Sequence, residues 1–229
     1  MKKAFTLAEV LITLGIIGVV AAITIPVLIK KYQMKTFEVA FKKEYSTIQN
    51  ALNYLVQEES LSECYTVLLR NSDNVGYYNS KDSQCSELKK SLIKNLKLTQ
   101  IPNDFKNIYK SSNTVLAEGG KLTNTSVAYN FIKNGSTAYI LPDGAVLLMY
   151  PPEKLRSYFS TTFILDVNGK KGPNKWGYDV FYMSFTRKGN NTNIIINDTF
   201  GTIAEKGGVY PRAILTGLNE KTKAEGLLN

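Results

Sequence analysis

Residues 5–29 read FTLAEVLITLGIIGVVAAITIPVLI, an apolar run of 25 residues with one charge, Glu9. Lys2 and Lys3 precede it, and Lys30 and Lys31 follow it. As a helix the run extends about 37 Å, enough to cross a bilayer with some tilt. Beyond Lys31 the pattern changes: Met34, Phe41, Ile48 and Leu55 recur every seven residues, and Phe37, Tyr45 and Leu52 fill the same face. Lys35, Lys42, Lys43 and Glu44 lie between them. This spacing predicts an amphipathic helix with one buried stripe, continuous with the apolar run from Phe5 to about Gln57. Such a stripe needs a partner, and a β-sheet face of the same chain is the expected one. Gly15, Gly18 and Pro26 punctuate the apolar half. Proline inside a helix removes a hydrogen bond and kinks the axis, although membrane helices accommodate it.

From about residue 58 the chain turns polar and turn-rich. Residues 71–84, NSDNVGYYNSKDSQ, read as a loop, and Glu87–Leu96 reads as a short helix. Strand-like segments follow at Ser126–Ile132, Thr137–Leu141 and Ala145–Tyr150, the last two joined through Pro142-Asp143-Gly144 as a hairpin. Tyr158–Val167, Tyr178–Phe185 and Thr192–Asn197 are further strands, and Ala213–Leu218 is a short helical turn. The expected fold class is α+β: a long N-terminal helix, transmembrane then amphipathic, packed on an antiparallel β-sheet. The expected organisation is a leader at 1–4, an apolar helix at 5–29, its amphipathic continuation at 30–57, and a globular domain at 58–229.

Composition narrows the chemistry. There is no histidine, which removes His-based acid–base catalysis, Ser–His and Cys–His pairs and His-ligated zinc. No P-loop occurs, and no spacing singles out paired carboxylates or a Ser–Lys pair, so an enzyme is not expected. The net charge of +9 falls to +7 without Lys2 and Lys3. The lysines are dispersed, as on a solvated basic surface. A binding role toward DNA or an anionic surface is the alternative, with Tyr77, Tyr78 and Lys81 as an exposed cluster. Cys64 and Cys85 are the only cysteines. Two thiols cannot complete a four-ligand zinc site, and outside the cytoplasm a disulfide is their natural use, stabilising by about 3 kcal/mol in the loop-entropy view.

The loop 166–179 carries Asp166, Asn168, Asn174 and Asp179 among Gly169, Gly172 and Gly177. Hard oxygens on a bent backbone suit calcium. Gly177 stands where an EF-hand has its bidentate Glu, and Lys170, Lys171 and Lys175 lower the local negative charge. A structured Asn/Asp-Gly loop capped by Trp176 is the other reading.

Three readings account for the N-terminal run. A secretory signal peptide has an apolar core of about 7–15 residues, shorter than this one, with a cut after Ala21 or Ala22. A plain anchor leaves Glu9 unexplained, because an ionised carboxylate in a bilayer costs roughly 2.5–3.5 kcal/mol. The third reading rests on Lys2-Lys3-Ala4 followed by Phe5-Thr6-Leu7-Ala8-Glu9. This peptide resembles the N-terminus of type IV prepilins and type II secretion pseudopilins, which have a basic leader, a cut before Phe and a Glu four residues later. The family usually has Gly before the cut, where this chain has Ala4. The resemblance implies cleavage between Ala4 and Phe5 by a membrane aspartyl prepilin peptidase, then N-methylation of Phe5. It also implies assembly with other pilin-like subunits through Glu9, driven by an inner-membrane platform and its ATPase. Before assembly the subunit would sit in the bacterial inner membrane as a single-pass protein, its C-terminal domain extracytoplasmic. Afterwards it would be part of a filament in the periplasm or on the cell surface. Major pseudopilins are similar in having a calcium site in a C-terminal loop. The leading function is therefore structural, a pilus or pseudopilus subunit, and the alternative is a minor pilin binding DNA or surfaces at a filament tip.

Overall fold

The computed structural model describes residues 6–71, 74–81, 84–109, 127–133, 135–153, 160–187, 194–198 and 203–217. The expected long helix is present as α1, Leu7–Glu58. Two compact units divide the chain at Val39/Ala40. The first holds the apolar part of α1. Its large side chains, such as Leu11 (61%), Ile16 (61%) and Leu28 (68%), are exposed, so this segment presents an apolar surface that the described residues leave uncovered.

The second unit begins with the amphipathic half of α1. Phe41, Glu44, Ile48, Ala51, Leu52 and Leu55 are buried, at the three- and four-residue spacing of one helical face. The stripe matches the sequence pattern with one difference. Glu44, read as lying among the charges between the apolar positions, is buried at 2% exposure. It lies three residues after Phe41 and four before Ile48, so helical geometry carries it onto the packed face.

The strands are β1 (Tyr65–Asn71), β2 (Asn74–Lys81), β3 (Thr99–Gln100), β4 (Thr137–Ile140), β5 (Val146–Met149), β6 (Thr162–Asp166), β7 (Val180–Arg187) and β8 (Ile195–Asp198). They form one sheet in the order β2-β1-β7-β6-β5-β4-β3, with β8 also on β7. All pairings are antiparallel except β1 with β7, which is parallel through Thr66↔Thr186 and Val67↔Arg187. In the central strands both faces are covered. Leu147, Leu165 and Phe181 are in register, as are Met149, Phe163 and Met183. This is the face toward α1, where the Phe41 and Phe181 rings lie 4.5 Å apart. The alternate positions Val146, Leu148, Tyr150, Ile164, Val180 and Tyr182 point the other way, into a cluster with Phe105, Tyr109, Phe131 and Trp176. A sheet covered on both faces explains why its strands read as apolar runs rather than strict alternation.

Two expectations are corrected. Ser126–Ile132, read as a strand from its β-favouring residues, contains the start of α3, Val127–Lys133. Ala128, Phe131 and Ile132 are all fully buried, at the i, i+3, i+4 spacing of a helix face. Phe131 packs edge-on against Tyr150 at 5.2 Å and Tyr182 at 5.5 Å. Packing on the sheet outweighs a weak local β preference. Residues 71–84, read as a loop, contain β2, which pairs with β1 from Tyr65↔Lys81 to Asn71↔Asn74. Backbone pairing needs no apolar side chains, so a polar strand at the end of a sheet leaves little pattern to read.

The remaining elements are α2, Cys85–Asn95, close to the expected Glu87–Leu96, and α4, Pro211–Thr216. A 3₁₀ segment, Asn103–Tyr109, was not anticipated. A disulfide joins Cys64, just beyond α1, to Cys85 at the start of α2. Nearby, the Ser91 hydroxyl donates to Glu59 at 2.7 Å and the Glu63 N–H donates to Gln84 at 3.0 Å. Gln49 on α1 donates to the Ile194 carbonyl at 3.0 Å and accepts from the Ile196 N–H at 2.9 Å, so its amide serves edge groups of β8.

Phe41 is wholly buried against Phe181. Truncation in Phe41→Ala removes that packing and should lower the unfolding free energy of the detergent-solubilised chain by about 3–5 kcal/mol. Denaturant unfolding followed by fluorescence of the single tryptophan, Trp176, measures it.

Candidate functional site

The first candidate site is the start of α1. Ala4 and Phe5, the expected cleavage and methylation positions, lie outside the described residues. Glu9 sits in the first turn. Its carboxylate accepts from the Thr6 N–H at 2.8 Å and the Thr6 hydroxyl at 2.8 Å, while the Glu9 N–H donates to the Thr6 hydroxyl oxygen at 3.3 Å. This is a capping box, in which an N-terminal Thr and the third helical residue satisfy each other's free backbone donors. Its sequence signal is the T-x-x-E signature at Thr6-Leu7-Ala8-Glu9. Glu9 therefore has a local partner within the single chain.

The second candidate site is the loop between β6 and β7. The fold gathers all four residues named from sequence. Asp166 ends β6, paired in register with Val180 of β7, and the Val167 N–H donates to the Asp179 carbonyl at 2.9 Å. Asp166 is fully buried. One of its carboxylate oxygens accepts from the Tyr109 hydroxyl at 2.6 Å, and the other from the N–H groups of Asn168 (3.1 Å) and Gly169 (2.8 Å). Asp179, equally buried, accepts from the N–H groups of Asn174 (2.9 Å) and Lys175 (2.7 Å). Its side chain also hydrogen-bonds with Asn168. Each aspartate thus organises backbone amides of the loop.

Burial dominates the electrostatics. It pushes Asp166 up to about 7 in spite of the donors that favour its charged form, with the nearby Asp179 charge acting in the same direction. It raises Asp179 as well, against the pull of its backbone donors. Tyr109 is also raised, first by burial and then by the Asp166 charge. The Asn168 amide nitrogen donates to the Gly172 carbonyl at 2.6 Å, but the side-chain oxygens of Asn168 and Asn174 are buried without a donor among the described residues. These two acceptor oxygens stand in the same loop as the two buried carboxylates.

Tyr109 and the strap 203–209 were invisible in the sequence pattern. Trp176 donates its N–H to Glu205 at 3.1 Å and accepts from the Glu205 N–H at 2.8 Å. The Val209 N–H donates to the Gly177 carbonyl at 2.7 Å. Gly177 has φ 77°, and a Cβ there would lie 2.8 Å from the Ala204 Cβ, so both conformation and space demand glycine. Trp176 is a core residue, buried beneath this strap. Among the described residues no group of three or more Cys, Asp or Glu is arranged as a metal cluster. Tyr77, Tyr78 and Lys81 fall in β2, whose side chains lie outside the description.

Among the described residues, α1 is the helix long and apolar enough to cross a membrane. Residues 1–25 match the protein family described as the prokaryotic N-terminal methylation motif. Comparison with curated proteins and with solved structures found no match. The chain carries the prepilin-type motif at its N-terminus, as in the type IV pilin and pseudopilin superfamily, and the α+β architecture is pilin-like. That motif belongs to structural subunits rather than enzymes.

Tyr109→Phe keeps the ring in the core and deletes the hydroxyl that serves Asp166. A loss of about 1–3 kcal/mol is expected from unfolding curves, because a buried carboxylate oxygen is left without its donor.

Proposed function

We propose that the chain is a structural subunit of a type IV pilus or type II secretion pseudopilus, cut between Ala4 and Phe5, methylated on Phe5 and polymerised through α1. The match at residues 1–25 carries this reading, and the exposed apolar part of α1 supports it. The partners would be a prepilin peptidase, an assembly platform with its ATPase, and other pilin-like subunits. Cleavage would leave a cationic amine on Phe5. In a bundle of such helices the Glu9 carboxylate would leave its capping box and pair with the amine of a neighbour, offsetting the cost of burying both charges and fixing axial register.

The capping box provides a sharp test. Glutamine also closes a capping box but carries no charge. Glu9→Gln should therefore leave the start of α1 helical and abolish filament assembly in the native host. Normal filaments from Glu9→Gln would show that the charge has no role in assembly. The N-terminal mass of the mature protein, expected to begin at methylated Phe5, tests processing; a start at Met1, or after Ala21 or Ala22, would overturn it.

The β6–β7 loop supports a calcium site. Asn168 and Asn174 would offer their donor-free oxygens, and Asp166 and Asp179 the charge. Bound calcium would supply fixed positive charge that ties the loop ends together. With calcium at about a hundred times its dissociation constant, the folded state should gain about 2.7 kcal/mol. A melting temperature that rises with calcium and falls with a chelator is expected; one indifferent to both removes the site.

A further inference from the structure

One buried acid is unused by the assembly helix and by the β6–β7 loop. Glu44 lies on the packed face of α1 at 2% exposure, opposite Asp143 in the turn between β4 and β5. One Glu44 oxygen is 3.2 Å from the Lys43 ammonium, and no donor reaches the other, buried oxygen among the described residues. Asp143 receives the Lys43 ammonium on one oxygen and the Ala145 N–H, at 3.2 Å, on the other. Lys43 and Asp143 are the charged groups that act on Glu44, one from α1 and one from the turn. Lys43 touches both acids, so the two carboxylates meet at one ammonium, and each acts on the other's ionisation. Two carboxylates cannot hydrogen-bond without a proton between them, and a single exposed cation cannot neutralise both at a buried seam.

We propose that Glu44 and Asp143 share one proton beneath Lys43, forming a pH-sensitive latch that clamps α1 to the β4–β5 turn. Glu44 is the proton carrier. Burial, then the hydrogen bond and charge of Asp143, raise it to about 7, while Lys43 pulls the other way. Burial also works upward on Asp143, but the hydrogen bonds from Glu44, Lys43 and Ala145 hold it down at about 2. The signs follow from linkage. The raised Glu44 favours the folded state below its unfolded value and loses that contribution as pH rises through about 7. The depressed Asp143 loses its contribution only as pH falls toward about 2. Across the neutral range the latch therefore closes on acidification and opens on alkalinisation. When the proton leaves, two negative charges face each other across the seam and α1 is pushed from the turn. This device operates in the single subunit, whether or not the chain assembles.

The test is denaturant unfolding of the full chain in detergent between pH 5.5 and 8.5, read from Trp176. Wild type should lose stability as pH rises. Other buried acids add to that slope, so the diagnostic quantity is the difference from Glu44→Gln, whose amide N–H can donate to Asp143 without a titrating proton. Above pH 7 the folding constants of the two should diverge by up to about tenfold per pH unit. If Glu44→Gln does not fold, Asp143→Asn should make the loss of stability with rising pH shallower than in wild type, because the facing charge is gone while the burial of Glu44 remains. Parallel profiles for wild type and variant, or a flat wild-type profile, would overturn the latch.

Discussion

The contact between the amphipathic half of α1 and the central strands governs the globular unit. Phe41, Ile48, Leu52 and Leu55 close one face of the sheet, and Phe41 meets Phe181 at its centre. Neither surface is stable alone. An amphipathic helix owes most of its stability to packing its apolar face, and an apolar sheet face in water has no favourable alternative to being covered. Among the described residues, polar contacts stand at the margins of this seam. Gln49 serves the edge of β8, and the Lys43, Glu44 and Asp143 group holds the turn between β4 and β5. Apolar area supplies the stability, and these polar groups fix the position of the helix along the sheet.

The opposite face follows a different solution. It is covered not by one long helix but by α3, the 3₁₀ segment ending at Tyr109, Trp176 and Ile203. Short, irregular segments leave many backbone groups without regular partners, and burial makes each of those groups costly. Asp166, Asp179 and Glu205 answer this by accepting backbone N–H groups in the region between β6 and β7. The same burial raises all three acids from their ordinary values. An acidic loop that looked like a ligand set in one dimension is, in three, the scaffold of its own backbone. Among the described residues that scaffold leaves the Asn168 and Asn174 side-chain oxygens without donors.

Among the described residues, the apolar half of α1 is left exposed. Its exposed leucines, isoleucines and valines suit lipid or the apolar faces of other helices. The same carboxylate that closes the capping box with Thr6 is the one charge in the apolar run. Within one chain that charge is spent on helix termination, so an intersubunit role requires an exchange of partners rather than the filling of an empty valence.

Sequence alone determined what depends on neighbours in the chain. The apolar run, the prepilin-type motif at residues 1–25, the amphipathic stripe and the Pro142-Asp143-Gly144 hairpin are all set by local periodicity, composition or turn chemistry. Even the capping box was legible as T-x-x-E. Tertiary structure decided the rest, because the energies concerned act between distant segments. Val127–Lys133 is helical since Phe131 finds Tyr150 and Tyr182, although its residues favour strands. The polar strand β2 exists because β1 offers a backbone to pair with. Tyr109 reaches Asp166 across 57 positions, and Lys43 reaches Asp143 across 100. No local pattern encodes such a meeting. Burial and charge at these sites are products of the folded core, where water no longer screens one group from another.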